Sequence, residues 1–211
     1  MRNTITISLA LLLAACGSAT AQDAPSSAPA LAAPSGVYTN DPAHTSLTWK
    51  IGHLGLSDFT ARVSQIDIEL DFNAADLSRS SVTATIGAAS FDTGYPYDDK
   101  DFNAEIASPM IMNADEFPSI RFASTKVIQT SPSSANIEGE LTMMGVTQPV
   151  ILTADYHGST DNHPFANVPA IGFSARATID RTQFGNTFLS GQGLSDEVTI
   201  LIEAEFLKQA P

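Results

Sequence analysis

The chain is short of cysteine, of cations and of charge in general. One cysteine stands among 211 residues, so an intramolecular disulfide and a Cys-rich zinc site are both excluded. Ten Lys and Arg face 23 Asp and Glu, a formal net charge of −13. A nucleic-acid binder needs clustered cations against the phosphate backbone, so that class is excluded too. No apolar run reaches the roughly 20 residues of a bilayer-spanning helix. Internal repeats are absent. What is present in quantity is apolar side chain, 43% of residues. That rules out a wholly disordered chain and suffices for one domain with a sizeable core.

Residues 1–21 read as an export signal and are set aside from the fold. Arg2 is their only charge, and Ile5 to Ala15 is apolar apart from Thr6 and Ser8. Two cleavage sites compete. Ala19-Thr20-Ala21 before Gln22 is the small-x-small pattern of ordinary signal peptidase. Leu13-Ala14-Ala15-Cys16 resembles a bacterial lipobox, in which Cys16 becomes the acylated first residue; the sole cysteine of the chain falls there. Residues 22–35 are rich in Ala, Pro and Ser, the composition of a flexible tether. Either cleavage removes Arg2 and leaves nine basic against 23 acidic residues, a net of −14. Such a surface is repelled by anionic membranes.

From Gly36 onward the hydrophobic period is two. Ile66, Ile68, Leu70 and Phe72 alternate with Gln65, Asp67, Glu69 and Asp71. Val82, Ala84 and Ile86 repeat the pattern, as do Phe173 to Ile179 and Val198 to Phe206. One wet face and one buried face make each of these a strand. Further strands are expected over 45–53, 119–129, 134–143 and 148–158, about eight in all. Met144-Gly145-Val146-Thr147 reads as a tight link between two of them. Residues 97–117 are rich in Asp, Glu, Ala and Asn, and a short helix is expected there, with Asp98-Asp99-Lys100-Asp101 as its solvated start. Eight antiparallel strands buried on one side suggest a closed barrel or a sandwich. Closure removes edge strands and favours the barrel.

A barrel of that size either fills with side chains or holds one small ligand. Ala84, Gly139, Ala154, Ala175 and Ala177 fall on inward positions and leave room, and Met110, Met112, Met143 and Met144 adapt to irregular apolar shapes. Ordinary core packing accounts for the same residues equally well. Catalytic chemistry finds little footing. His44, His53, His157 and His163 lack metal-ligand spacing, and the odd offset between His44 and His53 sets them on opposite sides of one strand. The acidic run at Asp98 lacks the glycine and terminal glutamate of a calcium loop. No Gly-x-Ser-x-Gly elbow is present. No catalytic residue and no metal are expected.

Several stretches carry a resemblance. They are Tyr38-Thr39-Asn40-Asp41-Pro42-Ala43-His44-Thr45-Ser46 with Trp49 and His53-Leu54-Gly55, Ser90-Phe91-Asp92-Thr93-Gly94, and Phe117-Pro118-Ser119-Ile120-Arg121-Phe122-Ala123-Ser124-Thr125. Gly139-Glu140-Leu141-Thr142-Met143-Met144-Gly145-Val146-Thr147-Gln148-Pro149-Val150 follows, then Gly172-Phe173 to Ile179-Asp180-Arg181 with Phe184-Gly185, then Leu194-Ser195-Asp196-Glu197-Val198. In this order, over roughly 37–207, they resemble the YceI-like polyisoprenoid-binding family. One stretch departs. Phe102-Asn103, Ile106 and Ile111-Met112-Asn113 stand where the family often carries an Arg-Asp pair, a leucine and a Phe-Phe-Asp run. A ligand entrance of different shape is expected from that.

The resemblance implies an all-β, eight-stranded antiparallel, lipocalin-like barrel over 36–208. It implies an apolar tunnel for a long isoprenoid lipid, such as an isoprenoid quinone or a polyprenyl compound, and no further cofactor. The expected role is an exported, periplasmic carrier or store, anchored to the membrane if Cys16 is acylated. An enzyme acting on such lipids, or a ligand-free envelope module, stays open, as does a homodimer. Inward parity puts Leu70, Phe72, Ile86, Phe122, Leu141, Met143, Phe173 and Ile200 on the tunnel wall. Met110, Ile111 and Met112 are expected at the entrance, and Trp49 and Phe59 against a ring headgroup. Arg62 and Arg176 are either headgroup partners or surface residues.

Overall fold

The computed structural model describes residues 32–210, so Cys16, both cleavage sites and most of the tether lie outside the described residues. Ten strands and one short helix follow in order: β1 (Gly36–His53), β2 (Ser57–Val63), β3 (Ile66–Phe72), β4 (Ser81–Gly87), β5 (Phe91–Asp92), α1 (Phe102–Ala107), β6 (Ser119–Ser131), β7 (Ser134–Met143), β8 (Val146–Thr160), β9 (Ala170–Asp180) and β10 (Leu194–Lys208). Neighbours run β10-β9-β8-β7-β6-β4-β3-β1, and β10 pairs with β1 again to close the ring. Both β2 and β3 pair with β1, so they act as one bent stave, and β5 adds a short edge to β2. The result is an eight-stave antiparallel barrel. Every pairing between these strands is antiparallel, and the closing seam runs from Tyr38↔Lys208 to His53↔Leu194. Closure leaves the long staves without an unpaired edge.

Two features differ from the strands expected. β1 begins at Gly36 rather than at residue 45, and β2 and the two-residue β5 are additional strands. A bulge explains the first. Between Asn40↔Phe206 and Thr45↔Ala204, the stretch Asp41 to His44 stands opposite Glu205 alone. That interruption hides the period of two on β1. Buried Asn40 repairs the gap, donating from Nδ2 to the Ile66 carbonyl at 3.2 Å and accepting from the Ile68 amide at 2.7 Å. In β2, Phe59, Ala61 and Val63 do alternate with polar residues, but Gly55 and Ser57 just before them read as turn chemistry.

Local signals set the connections. Met144 and Gly145 both have positive φ, 52° and 75°, which is the two-residue hairpin turn whose twist matches the flanking strands. Asp101 caps α1, accepting from the Ala104 amide at 2.9 Å. At the end of the barrel nearest the N-terminus, Tyr38, Phe72, Ile171 and Phe206 are buried together with Ala33. Ala32 to Ser35, expected as the end of the tether, are fastened there. Tyr38 Oη donates to the Pro34 carbonyl and Ser159 Oγ to the Ala32 carbonyl, each at 2.6 Å.

Candidate functional site

The barrel encloses two adjoining cavities. The inner one, about 160 Å³, is bounded by Leu70, Phe72, Ala84, Phe122, Ala154, Phe173 and Ala175, with Tyr156 and four serines also on its wall. The outer one, about 620 Å³, lies between the far half of β1, β2, α1 and the start of β10. Leu47, Ile86, Leu141 and Ile200 line both, so four aliphatic side chains from β1, β4, β7 and β10 form a waist between the chambers. Strand parity builds this: alternate residues of every stave point inward, and those inward residues are almost all carbon.

Twelve of the thirteen residues expected on the sequence line these chambers. Leu70, Phe72, Phe122 and Phe173 face the inner one, and Trp49, Phe59, Ile111, Met112 and Met143 the outer one. Ile86, Leu141 and Ile200 sit at the waist. Met110 lines neither and is 61% exposed. The amides of Ile111 and Asn113 both donate to the Ser108 carbonyl, and this tight turn throws Met110 outward. Of the small residues, Ala84, Ala154 and Ala175 border the inner chamber, whereas Ala177 is buried and borders neither. Gly139 leaves no free room: a Cβ there would lie 2.6 Å from Phe122 Cε2 and 2.6 Å from the Ala123 carbonyl oxygen. The Phe122 ring fills the space.

The two chambers differ in chemistry. Aromatic rings run along one side of the outer chamber. Trp49 lies 5.7 Å from Phe59 and edge-on to Phe91 at 5.9 Å, Phe59 meets Phe102 at 5.8 Å, and Phe102 meets Tyr95 at 5.4 Å. His53, Asp58, Glu105, Arg181 and Asn186 line this chamber and none of them the inner one. Arg181 is 4% exposed. Its Nε donates to the Ser195 carbonyl at 2.9 Å, and its Nη1 to the Asn186 carbonyl at 3.0 Å and Oδ1 at 2.9 Å. Nη2 makes no hydrogen bond and stands 3.7 Å from Asp196. Burial pushes the guanidinium down from its ordinary value, against the pull of Asp196 and Asp180. Asn186 Nδ2 donates in turn to the Ile111 carbonyl at 3.2 Å, so one arginine ties the β9–β10 connection to the 108–117 segment over the chamber. The buried Trp49 Nε1 also lacks a partner.

Arg181 and Asn186 were not among the residues expected. A signal for Arg181 exists: it continues the inward parity of Phe173, Ala175, Ala177 and Ile179. Arg62 and Arg176 lie outside, mostly exposed, paired with Asp92 at 2.7 Å and Asp155 at 3.3 Å. His44 and His53 do not meet. His53 borders the outer chamber, while His44 sits on the β1 bulge, 2.8 Å from Asp41 and near Glu205. Their hydrogen bond raises His44 and lowers Asp41 relative to their ordinary values.

A model of the YceI-like domain matches residues 38–206. The chain belongs to the YceI-like family. A UPF0312 protein of Pseudomonas putida is 30% identical over 167 residues, 79% of this chain and 82% of that protein. Among solved structures, Burkholderia cenocepacia BcnA superposes with a TM-score of 0.68 at 20% identity, covering 79% of this chain and 98% of BcnA. A polyisoprenoid-binding domain from Saccharophagus degradans, implicated in plant cell wall breakdown, superposes with a TM-score of 0.61 at 9% identity over 83% of this chain and all of that domain. At those identities the structural likeness concerns the fold. The YceI-like barrel met here is that fold with an interior lined mainly by apolar side chains.

Proposed function

We propose that this protein is an exported carrier or store for one long isoprenoid lipid, an isoprenoid quinone or a polyprenyl compound, and that it performs no covalent step. The observation that carries the reading is the graded interior: a carbon-lined inner chamber, a four-residue aliphatic waist, and an outer chamber with aromatic and polar walls. The tail occupies the inner chamber and the headgroup the outer one. Each methylene moved from water into such a tunnel contributes about 0.8 kcal/mol, so a long tail binds tightly with few polar contacts. The rings of Trp49, Phe59 and Phe102 offer faces and edges to a planar headgroup. The name of the Saccharophagus degradans neighbour supports the ligand class.

The test is to purify the full exported protein, extract it with solvent and identify what was bound by mass spectrometry. An isoprenoid in near-stoichiometric amount is expected. Trp49 is the only tryptophan, so an added prenyl quinone that seats its ring in the outer chamber should quench the protein's tryptophan emission in a saturable way. Absence of both a co-purified lipid and saturable quenching would falsify the reading.

We further propose that the protein works in the periplasm on a lipid anchor at Cys16. Wild type is expected in the membrane fraction and Cys16→Ser in the soluble periplasmic fraction. A wild-type protein recovered soluble, with Gln22 as its first residue, would replace the anchor with simple secretion.

A further inference from the structure

Nine large apolar side chains are exposed among the described residues; Val37, Val146, Ile151 and Phe165 are not at the outer chamber, and the other five gather there. Leu54, Leu56, Tyr97, Met110 and Leu189 are 58%, 83%, 67%, 61% and 40% exposed, and all five stand around the outer chamber. Leu189 lines it, Leu56 and Met110 directly precede the lining residues Ser57 and Ile111, and Leu54 directly follows His53. The Tyr97 ring lies 5.5 Å from that of Tyr95, another lining residue. The Leu54 amide donates to the Gly193 carbonyl at 2.6 Å, which joins two of the turns into one rim. These are large side chains at turn tips, where polar residues cost least and apolar ones expose most surface. Leu54 and Leu189 moreover sit at positive φ, 54° and 51°. Glycine or asparagine adopts that conformation readily and leucine does not. At both positions a leucine stands in spite of the backbone.

The charge around these tips decides what they can meet. Lys100 is held by Glu105 at 2.8 Å and lies over the Phe102 ring at 4.6 Å. Arg181 is buried and bonded within the fold. Asp58, Asp98, Asp99 and Asp101 are exposed beside them. The rim is thus apolar tips among acidic side chains, with Lys100 and Arg181 engaged within the fold. Such a surface repels an anionic bilayer. It complements a zwitterionic one, whose ammonium groups stand outermost above the acyl boundary that apolar tips enter.

We propose that this rim docks the mouth of the outer chamber onto a zwitterionic phospholipid bilayer, so that a lipid passes between membrane and barrel without crossing water. The proposal rests on the lipid-carrier reading for its purpose. Its geometry stands apart from it, and so does its test.

The full chain carrying Cys16→Ser, which removes any acyl anchor, is floated with phosphatidylcholine vesicles and compared with the same chain carrying Leu56→Asp and Met110→Asp. Both altered side chains are exposed, so the fold is unaffected and circular dichroism checks it. The parent is expected to float, and the double variant to lose about tenfold or more of its vesicle-bound fraction. Vesicles containing phosphatidylglycerol should capture less parent at low salt. A parent that stays at the bottom with phosphatidylcholine, or a double variant that floats equally well, overturns the proposal. So does self-association of the parent without vesicles that the double variant loses, which assigns the rim to a second copy. Quenching of Trp49 by a prenyl quinone added from detergent reports on the cavity alone. Quenching without flotation leaves the carrier standing and removes the docking, and flotation without quenching does the reverse.

Discussion

Arg181 is the side chain that departs most from its surroundings, a guanidinium in a wall built mainly of carbon. Burying it is tolerable because its fork reaches three acceptors on two segments, the Ser195 and Asn186 carbonyls and Asn186 Oδ1. A lysine has one nitrogen and cannot reach all three. Arg181→Met therefore leaves buried carbonyls without donors, at a cost of about 2–4 kcal/mol. The melting temperature followed by circular dichroism should fall by roughly 5–15 °C, and Arg181→Lys should recover less than half of that loss. A methionine variant melting within about 2 °C of wild type would show that Arg181 does not hold the two segments. Side-chain parity makes this position visible in the sequence as inward. Its partners are not visible, because Asn186 comes from the β9–β10 connection, whose path no periodicity encodes, and Ser195 from the start of β10 beyond it.

At the scale of elements, legibility follows regularity. β3, β9 and β10 keep an unbroken period of two, and their inward residues are the ones alternation selects. β1 breaks the period at its bulge, so its first half is hidden, although Asn40 and Asp41 that make the bulge work are ordinary turn formers by type. Gly139 on β7 shows a subtler limit. Its small size suggests open room, yet the ring of Phe122 on β6 occupies that room. Only cross-strand register, fixed by Ser124↔Gly139 and Phe122↔Leu141, reveals it. Gly139→Ala must move that ring or the strand behind it, costing about 1–3 kcal/mol. Chemical unfolding should show it, and Phe122→Leu in the same chain should restore part of the loss. If the two changes prove additive, the ring does not depend on the glycine.

For the whole molecule, the decisive property is that the two chambers share a waist. Leu47, Ile86, Leu141 and Ile200 come from four staves, β1 and β10 side by side at the closing seam and β4 and β7 away from it, so no single strand carries the constriction and only closure assembles it. A long tail must pass between these four side chains to use both chambers, whereas a short ligand can stay in the outer one. Ile200→Trp places an indole where one branched side chain now stands, facing a space already bounded by three others. A long-chain prenyl quinone should then bind about tenfold or more weakly, because the methylenes that would fill the inner chamber stay in water. A prenyl quinone with a single isoprene unit should bind nearly as well as to wild type, since Trp49 and Phe59 and the polar wall of the outer chamber are untouched. Titrations with both ligands, read through calorimetry so that the added tryptophan does not interfere, separate the two affinities. Equal weakening of both would mean that the waist supports the fold of the outer chamber rather than gating the tail. Loss confined to the long chain identifies the waist as the element that makes two cavities into one tunnel and sets the length of lipid that the barrel accepts.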